Sequence, residues 1–209
     1  MIFNIKNRTY YNSCGEVVSQ EDFEKEWKEF NEQLEQEYNR RLEILVNSIP
    51  ENLSKEEKLK TAYLWLVNNI KYEHALDFNV DGSVSAPLIE IYNKWGIRVS
   101  DKYAPLLLGK TICSGIAPVV NDICIKLGIE SQLIYGETRV LENGARLKHV
   151  WNVISIDGKN KHLDITYGIY NKETNMNPLD FFLVDDTYLR QIGPHCNYDD
   201  SMLANNFKK

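Results

Sequence analysis

From Phe23 to Ile49 the chain repeats bulky apolar residues every three or four positions: Phe23, Trp27, Phe30, Leu34, Tyr38, Leu42, Leu45 and Ile49, with Pro50 as a stop. That spacing puts one apolar stripe along a long amphipathic helix. Ser19 with Asp22 resembles a capping box at its start. The stripe carries aromatics rather than clean a/d aliphatics, so it reads as a packing helix before a coiled coil. A second capping box, Ser54 with Glu57, opens a helix whose Leu59, Ala62, Tyr63, Leu66 and Ile70 share a face; it is expected to end near Tyr72. From about 73 to 110 the periodicity gives way to turn chemistry (Asp81-Gly82, Pro87, Gly96, Pro105, Gly109), which predicts loop with short irregular helices. An apolar stretch from Cys113 to Leu127, closed by Gly128 with Lys126 in the last turn, predicts a third helix. Pro118 inside it is expected to bend the helix or delay its start.

The period then shortens to two. Strands are expected over about 129–141, 146–156 and 159–166, joined at Asn143-Gly144 and Asp157-Gly158. A short apolar run, Phe181-Phe182-Leu183-Val184, interrupts a polar tail. Helices first and an antiparallel sheet second make an α+β pattern. The expected division is an N-terminal segment carrying the long helix, residues 1–53, and a single compact domain, residues 54–209.

Composition narrows the classes. The chain has 209 residues, 43% hydrophobic and 26% charged, ordinary values for a globular protein. Its net charge of −6 is spread among interleaved acids and bases, so no basic face exists for nucleic acid. No apolar run approaches the ~18 residues of a membrane span. The N-terminus lacks a leader pattern, so a cytoplasmic location is expected, with a secreted mature form left open. Cys14, Cys113, Cys124 and Cys196 lack CxxC spacing, which predicts free thiols and neither a disulfide framework nor a zinc site.

The densest chemistry lies in the predicted hairpin. A two-residue turn at Asp157-Gly158 opposes His149 to Thr166 and leaves Asp164 one diagonal step away. His149, Trp151, His162, Asp164 and Thr166 then share a face, and diagonal neighbours lie roughly 7–8 Å apart, within side-chain reach. Upstream, Cys113 stands at a helix start, where amide N–H groups and the dipole favour the thiolate, the reactive form. The same amides can donate to an oxyanion. A helix-start thiol followed by His and Asp on one face of a hairpin is an order that a Cys-His-Asp nucleophilic site can use.

Together the segments Gly109-Lys110-Thr111-Ile112-Cys113-Ser114-Gly115-Ile116-Ala117, Leu127-Gly128-Ile129-Glu130, His149-Val150-Trp151-Asn152-Val153, Asp157-Gly158-Lys159 and Leu163-Asp164-Ile165-Thr166 resemble the core of the transglutaminase-like superfamily. Leu64 to Tyr72 is similar to the helix before that family's active-site loop. The likeness covers about residues 59–166. It implies a papain-like core with the nucleophile helix packed on an antiparallel sheet, and it carries the roles of nucleophile, base and orienting acid onto Cys113, His149 and Asp164. It also suggests that Tyr103 borders the site or donates to the oxyanion. Trp151 is expected to wall the cleft beside the imidazole, with core packing as the other reading. Ile116, often aromatic in the family, and Pro118 depart from its pattern.

The expected reaction is attack of Cys113 on a carboxamide or peptide carbonyl through a thioester, most simply ending in hydrolysis by a protease or deamidase. Crosslinking of glutamine to an amine is the alternative, and a non-catalytic peptide-binding module is another. A protein or peptide is the expected partner, with no cofactor, no metal, no nucleic acid and no membrane; oligomeric state is open. Asp77-Phe78-Asn79-Val80-Asp81-Gly82 matches half of an EF-hand loop, but its twelfth position is Leu88 and Glu90 comes two residues late, so a polar turn is expected. His195-Cys196 reads as a loop near the cleft rather than half of a metal site, and His74 as a surface residue.

Overall fold

The alternation between residues 130 and 163 becomes a three-stranded antiparallel sheet: β6 (Glu130–Val140), β7 (Arg146–Ile156) and β8 (Lys159–Leu163), in the order β6-β7-β8. A computed structural model describes residues 2–4, 9–12, 14–73, 97–140, 146–191 and 195–198, with backbone only at 2–4, 139 and 140. Asn152 pairs with Leu163 and Ile156 with Lys159, the register that the Asp157-Gly158 turn predicts. Asp157 and Gly158 both adopt positive φ, 51° and 74°. The third strand is shorter than expected. It stops at Leu163, and Thr166 lies inside a helix instead of opposite His149. The Asn143-Gly144 turn lies outside the described residues.

The chain divides into two compact units, Met1–Arg40 and Arg41–Lys209, and the division falls inside the first helix, α1 (Gln20–Asn47). In the first unit, β1 (Ile2–Asn4), β2 (Thr9–Tyr11) and β3 (Val17–Val18) form an antiparallel sheet ahead of α1. These strands are two or three residues long, too short to show a period in sequence. The predicted Ser19 cap forms, with Oγ accepting from the Asp22 amide at 3.1 Å. Tyr10, Phe23, Trp27 and Phe30 make a ladder of ring contacts, with centroids 5.0 to 6.3 Å apart, and Trp27 remains 48% exposed.

In the second unit the apolar face of α2 (Lys55–Asn69) turns inward. Its capping box forms in full, Ser54 accepting from the Glu57 amide and Glu57 reaching back to the Ser54 amide. Ile70 leaves the helix as an extended cap, and Lys71–Tyr72, β4, pairs in parallel with Lys110–Thr111, β5. That ends the helix three residues before Tyr72. A short helix, α3 (Ala104–Leu108), closes on Gly109 in the left-handed region at φ 67°. Helix α4 (Cys113–Lys126) starts at Cys113 despite Pro118, and Gly128 takes the left-handed conformation expected of it, φ 65°.

One face of the sheet receives α4, which packs on β6 and β7. There Val120 and Ile123 of α4 meet Leu59, Ala62, Tyr63 and Leu66 of α2, with Leu163 and Ile165 completing the apolar layer. The other face is aromatic: Ile134, Trp151 and Val153 cluster with Phe181, Leu189 and Tyr198. These last come from the segment after α5 (Ile165–Glu173), which includes a 3-10 turn (Pro178–Phe181) and α6 (Asp186–Gln191). No helix among the described residues is long and apolar enough to cross a membrane.

Candidate active site

Cys113 owes its place to a tightly braced loop. The β4–β5 pairing holds Lys110 and Thr111, and Thr111 Oγ1 donates to the Val99 carbonyl at 2.9 Å. Ile112 N–H also reaches Val99 O, at 3.2 Å. Gly115 lets α4 approach: a Cβ there would meet Thr111 Oγ1 and would stand 2.8 and 2.9 Å from the carbonyls of Val99 and Asp101. Ile112 caps the helix from an extended conformation and offers no side-chain acceptor, so no side chain competes for the first-turn amides. The amides of Gly115 and Ile116 turn back to Ile112 O, and those of Cys113 and Ser114 are the helix-start donors nearest the sulfur. Cys113 is half-buried, and all four cysteines are free thiols.

His149 lies on β7 opposite Gly136 and is 7% exposed. Its ring stacks against Trp151, centroids 5.7 Å apart and planes within 17°, and meets the edge of Tyr167 at 5.7 Å. Gly136 makes that arrangement possible, since a Cβ would come 2.7 Å from the Trp151 ring. Trp151 Nε1 donates to His162 Nδ1 at 3.0 Å. An indole can only donate, so His162 Nδ1 accepts.

Asp164 does more than the hairpin predicted. It is the N-cap of α5: Oδ1 accepts from the Tyr167 amide at 3.2 Å. Its other oxygen, Oδ2, lies 2.6 Å from His149 Nε2 and 2.7 Å from His195 Nε2. Both imidazoles and the carboxylate are buried. His195 comes from the tail, where the backbone of Cys196 pairs with Glu137 on the free edge of β6.

Burial works against a charged His149, but the Asp164 carboxylate, by charge and hydrogen bond, outweighs it, with Cys113 adding to the upward push; the result is about 10. With Nε2 committed to Asp164, Nδ1 is the ring nitrogen left for the thiol. Burial likewise raises Asp164, yet the charge and hydrogen bond of His149 and the bond from His195 hold it well below the carboxylate range. His162 and His195 go the other way. Burial lowers both, His162 to about 4.

The positions singled out in the sequence that fall among the described residues have definite places. Cys113 neighbours His149, and His149 is bonded to Asp164. Trp151 stacks on the imidazole. Tyr103 sits at the start of α3 with the Lys102 ammonium 5.0 Å from its ring centroid. Asn152 faces the reverse side of β7 and donates to the Ala117 carbonyl of α4 at 3.0 Å. The EF-hand-like segment and His74 lie outside the described residues. His195 as a partner of Asp164 has no local sequence signal, because it stands alone in a polar tail.

Among solved structures, a TGase matches with a TM-score of 0.42 and 16% identity over 71% of this chain and 33% of that one. A candidate cysteine protease from Cytophaga hutchinsonii matches with a TM-score of 0.42 and 15% identity, over 62% of this chain and 37% of that one. An arylamine N-acetyltransferase from Bacillus cereus, described as having a Cys-His-Glu catalytic triad, matches with a TM-score of 0.42 and 13% identity, over 64% and 50%. The chain spans a third to a half of the length of these proteins, and the likeness adds nothing about reaction or substrate. No family model and no curated protein matches the chain.

His149, Asp164 and His195 also offer ligand atoms within 4.8 Å of one another, so a metal has to be considered. Two atoms each about 2.0–2.1 Å from a tetrahedral zinc stand roughly 3.3 Å apart. The N···O separations of 2.6 and 2.7 Å are shorter, and they are hydrogen-bond lengths.

The opposed histidine shifts predict a stability optimum. His149, raised from 6.5 to about 10, adds stability that is complete below pH 6.5 and lost as pH rises toward 10. His162, lowered from 6.5 to about 4, takes its proton only on unfolding, so stability falls as pH drops from 6.5 toward 4; His195 acts in the same direction. Asp164 adds stability above its unfolded value of 3.8 that is lost in stronger acid. The thermal midpoint, followed by circular dichroism, is therefore expected to peak near pH 6.5, the unfolded histidine value. A midpoint that stays level from there to pH 9 would mean that folded His149 is neutral.

Proposed function

We propose that the protein is a cysteine-dependent acyl-transfer enzyme of transglutaminase-like type with a papain-like core, acting on a carboxamide or peptide bond and releasing the acyl group to water. The observation that supports this reading is a buried imidazole bonded through Nε2 to Asp164, with Cys113 near enough to raise its basicity further. Cys113, His149 and Asp164 take the roles of nucleophile, base and orienting acid.

In this mechanism the Cys113 proton passes to His149 Nδ1 and the sulfur forms a bond to the carbonyl carbon. The oxyanion is met by the amides at the start of α4. As the C–N bond breaks, His149 returns its proton to the leaving nitrogen, giving ammonia from a carboxamide or an amine from a peptide, and a thioester remains. Water then adds to the thioester carbonyl while His149 takes its proton. The C–S bond breaks, the carboxylic acid leaves, and the proton goes back to sulfur. Asp164 keeps the Nε2–H tautomer in place throughout. Trp151 walls the imidazole, and Tyr103 borders the cleft.

The test uses a glutaminyl peptide with and without a labelled primary amine, comparing the wild type with Cys113→Ala. Release of ammonia or peptide fragments that vanishes in Cys113→Ala is the expected result. Amine incorporation that depends on Cys113 would replace water by an amine as acceptor. Identical behaviour of the two proteins would remove the enzyme reading and leave a peptide-binding module.

A further inference from the structure

His195 occupies a box of rings: its centroid lies 4.7 Å from Trp151, 4.9 Å from Tyr167, 5.5 Å from His149 and 5.6 Å from Phe181. Packing alone would be served by phenylalanine. The histidine instead buries two ring nitrogens, of which Nε2 meets Asp164 Oδ2 at 2.7 Å and Nδ1 has no hydrogen-bond partner among the described residues. A buried polar atom without a partner is costly, so the position carries a penalty that only the Nε2 contact offsets.

The contact also fixes the tautomer. An ionised carboxylate only accepts, so Nε2 carries the hydrogen and the bare Nδ1 is an unprotonated lone pair. Protonating it would bury an unpartnered donor and a second positive charge beside His149. Burial first, then the His149 charge, lower the basicity of His195, against the opposing pull of Asp164. Its position is set by the backbone next door: Cys196 N–H donates to Glu137 O at 2.8 Å and Glu137 N–H to Cys196 O at 2.9 Å.

This matters when His149 is neutral. Asp164, 2% exposed, then loses the imidazolium that balances its charge and keeps neutral donors only: His149 Nε2–H, the Tyr167 amide and His195 Nε2–H. Without the last, the buried carboxylate is held less firmly in its ionised form, and an Asp164 that takes up a proton from solvent no longer supports the imidazolium that His149 forms when it is protonated at Nδ1. We infer that His195 is a positioning residue, a permanently neutral donor that holds the Asp164 carboxylate ionised and aimed while His149 gains and loses its proton. The inference rests on the reading of Cys113 as nucleophile and His149 as its base. The other titratable groups around this unit are Cys113 of α4, Tyr63 of α2, which feels the Asp164 charge, His162 of β8, which feels that of His195, and Tyr167 of α5.

The test follows alkylation of Cys113 by iodoacetamide, resolved by peptide mass mapping, between about pH 5 and pH 9, either side of an ordinary thiol's titration. Wild type, His195→Phe and His195→Gln are compared as full chains, glutamine being chosen because its amide can place an N–H where Nε2 stood. The expected result is low-pH labelling in wild type, a loss of about tenfold or more in His195→Phe, part of the ~10²–10⁴ a positioned base contributes, and substantial recovery in His195→Gln. A folded His195→Phe that labels like wild type, or a His195→Gln that labels like His195→Phe, overturns the inference. Absence of low-pH labelling in wild type brings down the nucleophile reading, and the inference with it, a result visible without any variant. Should His195→Phe fail to fold, imidazole ¹⁵N shifts of the wild type decide: Nε2 protonated and Nδ1 bare across the range supports the inference, and a titrating His195 overturns it.

Discussion

Asp164→Ala is expected to lower the acyl-transfer rate by about 10⁴-fold, the scale on which triads lose activity when the acid that orients the imidazole is changed. The same substitution is expected to destabilise the fold by about 3–5 kcal/mol, because removing one partner of a buried ion pair leaves the other charge uncompensated. The partner left behind is His149, buried and favoured in its protonated form by this carboxylate, with Cys113 adding to the effect. His195 loses the acceptor for its Nε2 and the Tyr167 amide loses its cap, a further loss of about 1 kcal/mol in comparable helices. Asp164→Asn separates the roles. Its amide oxygen can still cap α5, so about 1 kcal/mol of the loss should be recovered, while its NH₂ would meet two N–H donors and force one imidazole into the wrong tautomer. Urea midpoints and initial rates of the two variants check this. An asparagine variant of nearly full activity would remove Asp164 from the chemistry.

Trp151→Ala is expected to cost about 3–5 kcal/mol, the range for emptying a large aromatic site. Trp151 is 1% exposed and packs with Ile134, Val153, Phe181, Leu189 and Tyr198. The substitution also strips His162 Nδ1 of its donor, and an unsatisfied buried acceptor costs about 1–3 kcal/mol. Trp151→Phe keeps a ring against His149 but loses the N–H and part of the indole volume, so its destabilisation should be smaller than that of Trp151→Ala. If both variants melt within a degree of wild type, the aromatic layer is not what secures this face of the sheet.

The hairpin was legible because a period of two and an Asp-Gly turn leave one sensible register. The same reading carried β8 too far. Asp164 followed by a helix is an N-cap pattern, but Leu163-Asp164-Ile165-Thr166 also alternates, and only packing against α2 and the 3-10 turn decides for the helix. Cys113 was legible because Gly109 and Gly128 bracket its helix. The paired strands β4 and β5, two residues each, are too short to carry a pattern. His195 was not legible as a partner of Asp164, since what brings it inward is a bridge to Glu137, nearly sixty residues earlier, and long-range pairing leaves no local trace.

Three positions beyond His149, on the reverse of the same strand, Asn152 grips the Ala117 carbonyl of the helix that begins at Cys113. A slide of one residue would turn the imidazole into the aliphatic underside and throw the amide out among the rings. Mispaired molecules would thus forfeit the helix clamp and the ring–acid contact in the same stroke, so the proposed reactivity would be reserved for chains whose hairpin has closed correctly.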